Sequence, residues 1–229
     1  MERGLQELAK GLQRGGMAEA VRDLSFSGNG EPTLHPDFIP ALTLAARLRH
    51  ELFEVHQPEV KLVLITNGTG LMDTSLASFL TRAARGEAPY FDTPHGALEI
   101  WLKVDAGTEF WYGKMNRSAI PLSALHGAIR AFSLKAPFII QTMICKVDGE
   151  LPPEDEVTTR EELIRELVVR ASTLAGPQAG PQAVHLYSKA RPAPEDPKAE
   201  PVDEAYLAKR RASLQKALVP YRIPIEVFV

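Results

Sequence analysis

Ser27-Gly28-Asn29-Gly30-Glu31-Pro32 sets two small, permissive residues beside one carboxylate. Glycines let a backbone approach a ligand closely, and the Glu31 carboxylate can accept from an ammonium or from sugar hydroxyls. Further along, Thr66-Asn67 precedes Gly68, Lys103 stands two residues before Asp105, and Gln141 stands beside Thr142. Asp105 can also accept from an ammonium or a ribose, while Lys103 or Arg191 can hold a carboxylate. Together these groups suit a zwitterionic small molecule with an amine, a carboxylate and hydroxyls. A phosphate cradle does not fit: Gly28-Asn29-Gly30-Glu31 lacks the third glycine of a dinucleotide fingerprint and the Gly-Lys-Ser/Thr of a P-loop, and it carries a negative charge.

Such residues need elements to hold them, and the sequence supplies a regular alternation. Strand patterns fall at Val21–Ser27, Lys61–Thr66, Leu98–Val104, Pro137–Lys146, Ala183–Tyr187 and Pro224–Val229. Helical spacing marks residues 4–13, Phe38 to Leu52, a segment capped by Asp73, one from about Pro121, one opened by a Thr158/Glu161 capping box, and Asp203–Leu218. The doubled Gly-Pro-Gln-Ala of residues 176–183 reads as a loop, and the charge runs Glu154–Glu156 and Lys209–Arg211 as solvated faces. Alternating strands and helices predict a parallel α/β sheet in one domain spanning residues 1–229. In such sheets ligands bind at the carboxyl ends of the strands, where Glu31, Thr66, Lys103, Asp105, Gln141, Tyr187 and Arg191 all fall.

Composition excludes several classes. A single cysteine, Cys145, excludes a disulfide scaffold and any cluster held by several cysteines of these residues. Cys145 itself reads as a buried structural residue. Six histidines form no H-x-H or H-x-x-x-H pair, and only His35, just after the Glu31 turn, is a site candidate. Trp111 and Tyr112 read as core or lid packing. A net charge of −3 gives no basic footprint for nucleic acid. No apolar run approaches the ~20 residues of a membrane span, and the first residues lack the apolar core of a secretory signal, so a cytoplasmic protein is expected.

Four segments in order carry a family resemblance. Phe26-Ser27-Gly28-Asn29-Gly30-Glu31-Pro32-Thr33-Leu34 resembles the "GGEP" motif of the radical S-adenosylmethionine superfamily, and Thr66-Asn67-Gly68 its "TNG". Lys103-Val104-Asp105-Ala106, with Tyr112 and Asn116-Arg117, is similar to "SLDA…Y…NR", and Leu186-Tyr187-Ser188-Lys189-Ala190-Arg191-Pro192 to "LYTVARP". The first segment is nearest the branch related to wyosine tRNA-modifying enzymes. The match covers roughly residues 18–200.

The resemblance implies a partial (βα)6 TIM-like barrel, here missing its first strand. It implies S-adenosylmethionine as cofactor, cleaved reductively at a [4Fe–4S] cluster fed by an electron donor. It places Gly30, Glu31 and Pro32 at the methionine ammonium, Lys103 and Asp105 at the carboxylate and ribose, and Gln141 at the adenosine. Ser27, Gly28, Asn29, Thr66 and Asn67 complete the implied cofactor loops. The family's C-x3-C-x2-C loop is absent from the sequence, so these residues alone cannot ligate the cluster. Truncation ahead of Met1, a second polypeptide carrying the loop, or a degenerate member are the three explanations, with truncation preferred.

The expected function is a radical S-adenosylmethionine-type enzyme of unassigned substrate without its cluster-binding segment. Its alternative is a non-catalytic S-adenosylmethionine-binding or partner module on the same fold. A barrel hydrolase using Glu31 and Asp105 as acid and base is a third reading that nothing else in the sequence supports. RNA is a substrate class of the family that the charge does not favour, and no membrane partner is expected.

Overall fold

A computed structural model describes residues 7, 21–28, 30–54, 57–116, 118–189 and 198–228. The expected helix at residues 4–13, apart from Glu7, lies outside the described residues, as do Asn29, His56, Arg117 and Arg191. The chain has an α/β fold whose strands, β1 (Asp23–Phe26), β2 (Lys61–Thr66), β3 (Glu99–Lys103), β4 (Pro137–Met143), β6 (Gly180–Tyr187) and β8 (Ile225–Phe228), form one sheet in the order β1-β2-β3-β4-β6-β8. Two short strands, β5 (Cys145–Val147) and β7 (Ala199–Pro201), form a separate ladder. Among the described residues the main sheet runs from β1 to β8 without closing, as expected for an incomplete barrel. The chain divides into two compact units, residues 1–101 and 102–229.

In the first unit β1 and β2 pair in parallel, Asp23 opposite Lys61 and Phe26 opposite Leu64. The KLVLIT run of β2 buries Leu62, Val63 and Leu64, as a strand covered on both faces must. Helix α1 (Phe38–Phe53) lays Phe38, Leu42, Ala45 and Leu48 into that core, with Phe38 edge-on to Phe26 at 6.1 Å. Arg49 is wholly buried in the same helix; it pairs with Glu54 and donates to the carbonyls of Val60, at 2.6 Å, and Pro58. That fixes the turn feeding β2 and satisfies a charge that burial would otherwise penalise. Asp73 caps α2 (Thr74–Ala84) as its position predicts, accepting from Ser75 N at 2.8 Å and Leu76 N at 3.2 Å.

In the second unit β4, β6 and β8 are parallel, with Gln141 opposite His185 and His185 opposite Glu226. Helix α4 (Leu122–Ser133) buries Leu122, Leu125, Ile129 and Phe132, the spacing read from sequence. Helix α6 (Glu204–Leu218) is capped by Asp203, which accepts from Tyr206 N at 2.7 Å. Five expectations are corrected. A helix, α3 (Glu109–Asn116), stands in the predicted loop and buries Trp111 and Tyr112; Glu109 also caps α4 by accepting from Leu122 N at 2.9 Å. The predicted strand Pro137–Lys146 breaks at Ile144. There Ser188 Oγ donates to Ile144 O and accepts from Val202 N, so Cys145–Val147 turns away to pair antiparallel with β7.

The second Gly-Pro-Gln-Ala copy is the start of β6, not loop. Gly180 N donates to Ala136 O, and the proline falls at a strand beginning, where its missing donor costs least. Helix α5 (Glu154–Leu174) starts four residues before the Thr158 capping box, directly after Pro153 and with three acids in its first turn. The charge runs are not simple solvated faces either. Glu156 is buried, and Arg210 is buried with carboxylates of Glu161 at 3.6 Å and Glu154 at 3.8 Å. Among the described residues no helix is long and apolar enough to cross a membrane.

Candidate functional site

In the first unit the loop after β1 enters a 3-10 turn, Pro32–Leu34, whose cap is Glu31. Glu31 Oε1 accepts from Thr33 N at 3.1 Å, Thr33 Oγ1 at 2.5 Å and Thr66 Oγ1 at 2.6 Å, and Oε2 accepts from Asn67 N at 2.7 Å. One carboxylate thus ties the GNGEP loop to the TNG loop. Oε2, with a single donor, keeps acceptor capacity that an ammonium can use. Asn67 Oδ1 in turn accepts from Thr69 N and Thr69 Oγ1, and Gly68 N donates to Thr66 Oγ1 at 3.0 Å. The two loops pack so closely that a Cβ on Gly70 would lie 2.7 Å from Thr33 Cβ and 2.9 Å from Leu76 Cδ2.

Ser27, Gly28 and Gly30 are exposed beside this strap. A Cβ on Gly30 would meet nothing within 4 Å, and one on Gly28 only Gly30 N at 4.0 Å. Among the described residues no packing demands these glycines, which leaves room for a ligand to approach the backbone. His35 lines a neighbouring cavity of about 400 Å³ with Thr33, Leu34, Phe38, Thr69 and Asp73. Its Nδ1 accepts from Asp37 N at 3.1 Å.

In the second unit Lys103 closes β3 and Asp105 follows it. Lys103 Nζ is 3.0 Å from Asp105 Oδ2, with the lysine side chain 29% exposed and the aspartate 3%. Asp105 Oδ1 accepts from Met143 N at 2.7 Å, so each carboxylate oxygen has a fixed partner. Tyr187 acts on Lys103 electrostatically in the same direction as Asp105. The Asp105 charge holds the Lys103 ammonium well above its ordinary pKa against the opposing effect of burial. Burial, followed by the Asp105 charge, pushes the Tyr187 phenol up. Lys103 is therefore a cation at neutral pH, paired with Asp105 and with donors left to offer an anion. Gln141 is partly exposed on β4, its backbone carbonyl accepting from Val104 N at 2.8 Å.

Sequence reasoning put Glu31, Thr66, Asn67, Lys103 and Asp105 in one cofactor site; the structure ties Glu31 to Thr66 and Asn67 in the first unit and Lys103 to Asp105 in the second. That reasoning named Tyr187 only as a strand-end residue, and gave no role to Thr33 or to the α5 pair Glu156 and Arg160. Arg160 Nη1 donates to Asp105 O at 3.0 Å. The signal for that pair lay in the helical period of α5, since Glu156 and Arg160 continue its buried stripe of Leu163, Ile164, Leu167 and Ala171 backwards.

An iron–sulfur cluster does not fit the residues present. The one cysteine is buried, with Cys145 Sγ 3.5 Å from Met115 Sδ, and among the described residues no group of three or more His, Cys, Asp or Glu is arranged to hold a metal.

No family model matches the chain, and no curated protein matches it. Solved structures of radical SAM enzymes share its fold. A radical SAM methyltransferase from Sphaerobacter thermophilus is 17% identical with a TM-score of 0.56, covering 98% of this chain and 56% of its own. Streptococcus suis SuiB, bound to its precursor peptide SuiA, is 11% identical with a TM-score of 0.62, covering 98% of this chain and 42% of its own. TYW1 with a lysine-pyruvate adduct bound is 14% identical with a TM-score of 0.51, covering 94% and 58%. The chain spans about half the length of these proteins.

Proposed function

We propose that this chain binds S-adenosylmethionine and belongs to a radical S-adenosylmethionine-type enzyme of unassigned substrate. The observation that carries the reading is Lys103, a cation held by Asp105 at a strand end with donors to spare. Lys103 and Asp105 are assigned to the carboxylate and ribose of the ligand, Gln141 to its adenosine. The Glu31 loop, with Ser27, Gly28, Asn29, Gly30, Pro32, Thr66 and Asn67, is assigned to its ammonium and backbone approach. When bound, S-adenosylmethionine supplies an activated sulfonium. Reductive cleavage of that sulfonium needs a cluster these residues cannot ligate, so no redox step is derived from them. What the chain's own residues do is bind and orient: in the first unit Glu31 Oε2 can accept from an amine, and in the second Lys103 donates to a carboxylate while Asp105 keeps Lys103 in place.

The single cysteine favours a second reading, a binding module without radical chemistry of its own. Both readings require cofactor binding, and equilibrium dialysis against labelled S-adenosylmethionine tests it. Saturable one-to-one binding is expected, weakened about tenfold in Glu31→Gln, where an amide replaces a charged acceptor. Absence of saturable binding at millimolar ligand overturns both readings. Anaerobic iron–sulfide reconstitution of this chain and of one extended upstream separates them: uptake of about four irons by the extended chain alone would exclude the module, and uptake by neither would favour it.

A further inference from the structure

The first turns of α5 carry an acid and a base that the assigned site does not use. Glu156 is 0% exposed and Arg160 2%. Glu156 accepts from three donors of one loop: Gly107 N at 2.8 Å, Thr108 N at 2.7 Å and Thr108 Oγ1 at 2.8 Å. Arg160 Nη1 bridges two backbone carbonyls, Asp105 O at 3.0 Å and Met143 O at 3.1 Å, while its Nε stands 3.7 Å from Glu156 Oε1. The helix lies directly on the loop, since a Cβ on Gly107 would come within 2.7 Å of Glu156 O and 2.9 Å of Arg160 Cα.

The pair reaches both residues that flank the aspartate's hydrogen bonds. Met143, whose carbonyl Arg160 holds, donates its own N–H to Asp105 Oδ1. Asp105 is therefore fixed through its carbonyl by Arg160, through its carboxylate by Met143, and through the residues that follow it by Glu156. Stability alone is a poor reason for this arrangement. A buried ion pair costs desolvation, and well-packed apolar side chains in its place are often as stable or more so. Four hydrogen bonds from one pair to the loop that begins with Asp105 point instead to position.

We infer that Glu156 and Arg160 are positioning residues that hold the Asp105–Lys103 pair in register, and so set the chain's preference for a ligand bearing a carboxylate. The inference rests on the S-adenosylmethionine reading. Neither residue touches the ligand; both act through Asp105.

The test compares two ligands by calorimetric titration: S-adenosylmethionine, and 5′-methylthioadenosine, which keeps the adenosine but lacks the amino acid. The wild-type chain should bind the first more tightly. Glu156→Gln can no longer accept from every donor of the 107–108 loop. It should weaken S-adenosylmethionine about tenfold while shifting methylthioadenosine less than about twofold, so the preference collapses. Amide exchange at Gly107 and Thr108 should accelerate in the same variant. Arg160→Lys, which keeps the charge and can still reach one carbonyl, should retain more of the preference than Arg160→Met. Leu163→Ala, a buried residue of the same helix, should lower the melting temperature and leave the preference intact.

An unchanged preference in Glu156→Gln overturns the inference, and so does an equal collapse in Leu163→Ala, which would mark a general effect of helix stability. A wild-type chain that binds neither ligand overturns the cofactor reading itself. Faster exchange at Gly107 and Thr108 in Glu156→Gln would then show that the clamp exists without that ligand.

Discussion

Lys103→Met is expected to weaken S-adenosylmethionine binding by roughly 10–100-fold, the worth of one charge-assisted hydrogen bond of ~1.5–3 kcal/mol. Methionine matches the stem of lysine but brings no donor, and it leaves the buried Asp105 carboxylate without its cation. Lys103→Arg keeps the charge and should lose less. The pH dependence follows from the direction of the lysine shift. A base whose pKa is raised on folding keeps its contribution below its unfolded value and loses it only as pH rises through the higher folded value. The carboxylate contact should therefore stay constant from pH 6 to well above 9. The ligand's amine behaves differently, since an α-amino group titrates near ~8. Affinity should fall above about pH 8 through the Glu31 contact alone, and that fall should flatten in Glu31→Gln. A Lys103→Met chain binding as tightly as wild type would remove Lys103 from the site.

Gly107→Ala is expected to be the most damaging small substitution. The added methyl meets backbone of α5 at Glu156 and Arg160, and backbone cannot turn aside as a side-chain tip can. Overpacking of this kind costs about 3 kcal/mol, and a chain of this length loses roughly 2–4 °C of melting temperature per kcal/mol. A fall of roughly 6–12 °C follows. Gly113→Ala is the matched control: it lies inside α3, where a Cβ would meet nothing within 4 Å, and it should stabilise by ~0.5–1 kcal/mol. Thermal denaturation of both variants decides. Equal melting temperatures would mean that the loop and helix are not packed as described.

The strand-end residues were legible because their types advertise them. Glycines beside a carboxylate, and a lysine two residues from an aspartate, stand out from any apolar strand, and the alternation of periods located β2 to the residue. The Asp73 cap was legible for the same local reason. What the sequence hid depended on partners distant along the chain. Pro137–Lys146 reads as one apolar strand, and only Ser188, 44 residues beyond Ile144, makes it leave the ladder. Glu156 and Arg160 look solvated until the helix is begun at Glu154, which places them on its buried stripe. Their role is invisible without Gly107, because a glycine in a loop looks like any other turn residue until a helix is found resting on it.

The clamp from Glu156 to Gly107 closes a separation of 49 residues. A contact that long gains nothing until β3, β4 and α5 are already in place, so its loop-closure entropy is met late in folding. The segment that presents Asp105 is accordingly among the last to settle, and weakening its clamp should hasten unfolding more than it slows refolding. Half-life under proteolysis, more than folding yield, is where a variant of Glu156 would first make itself felt.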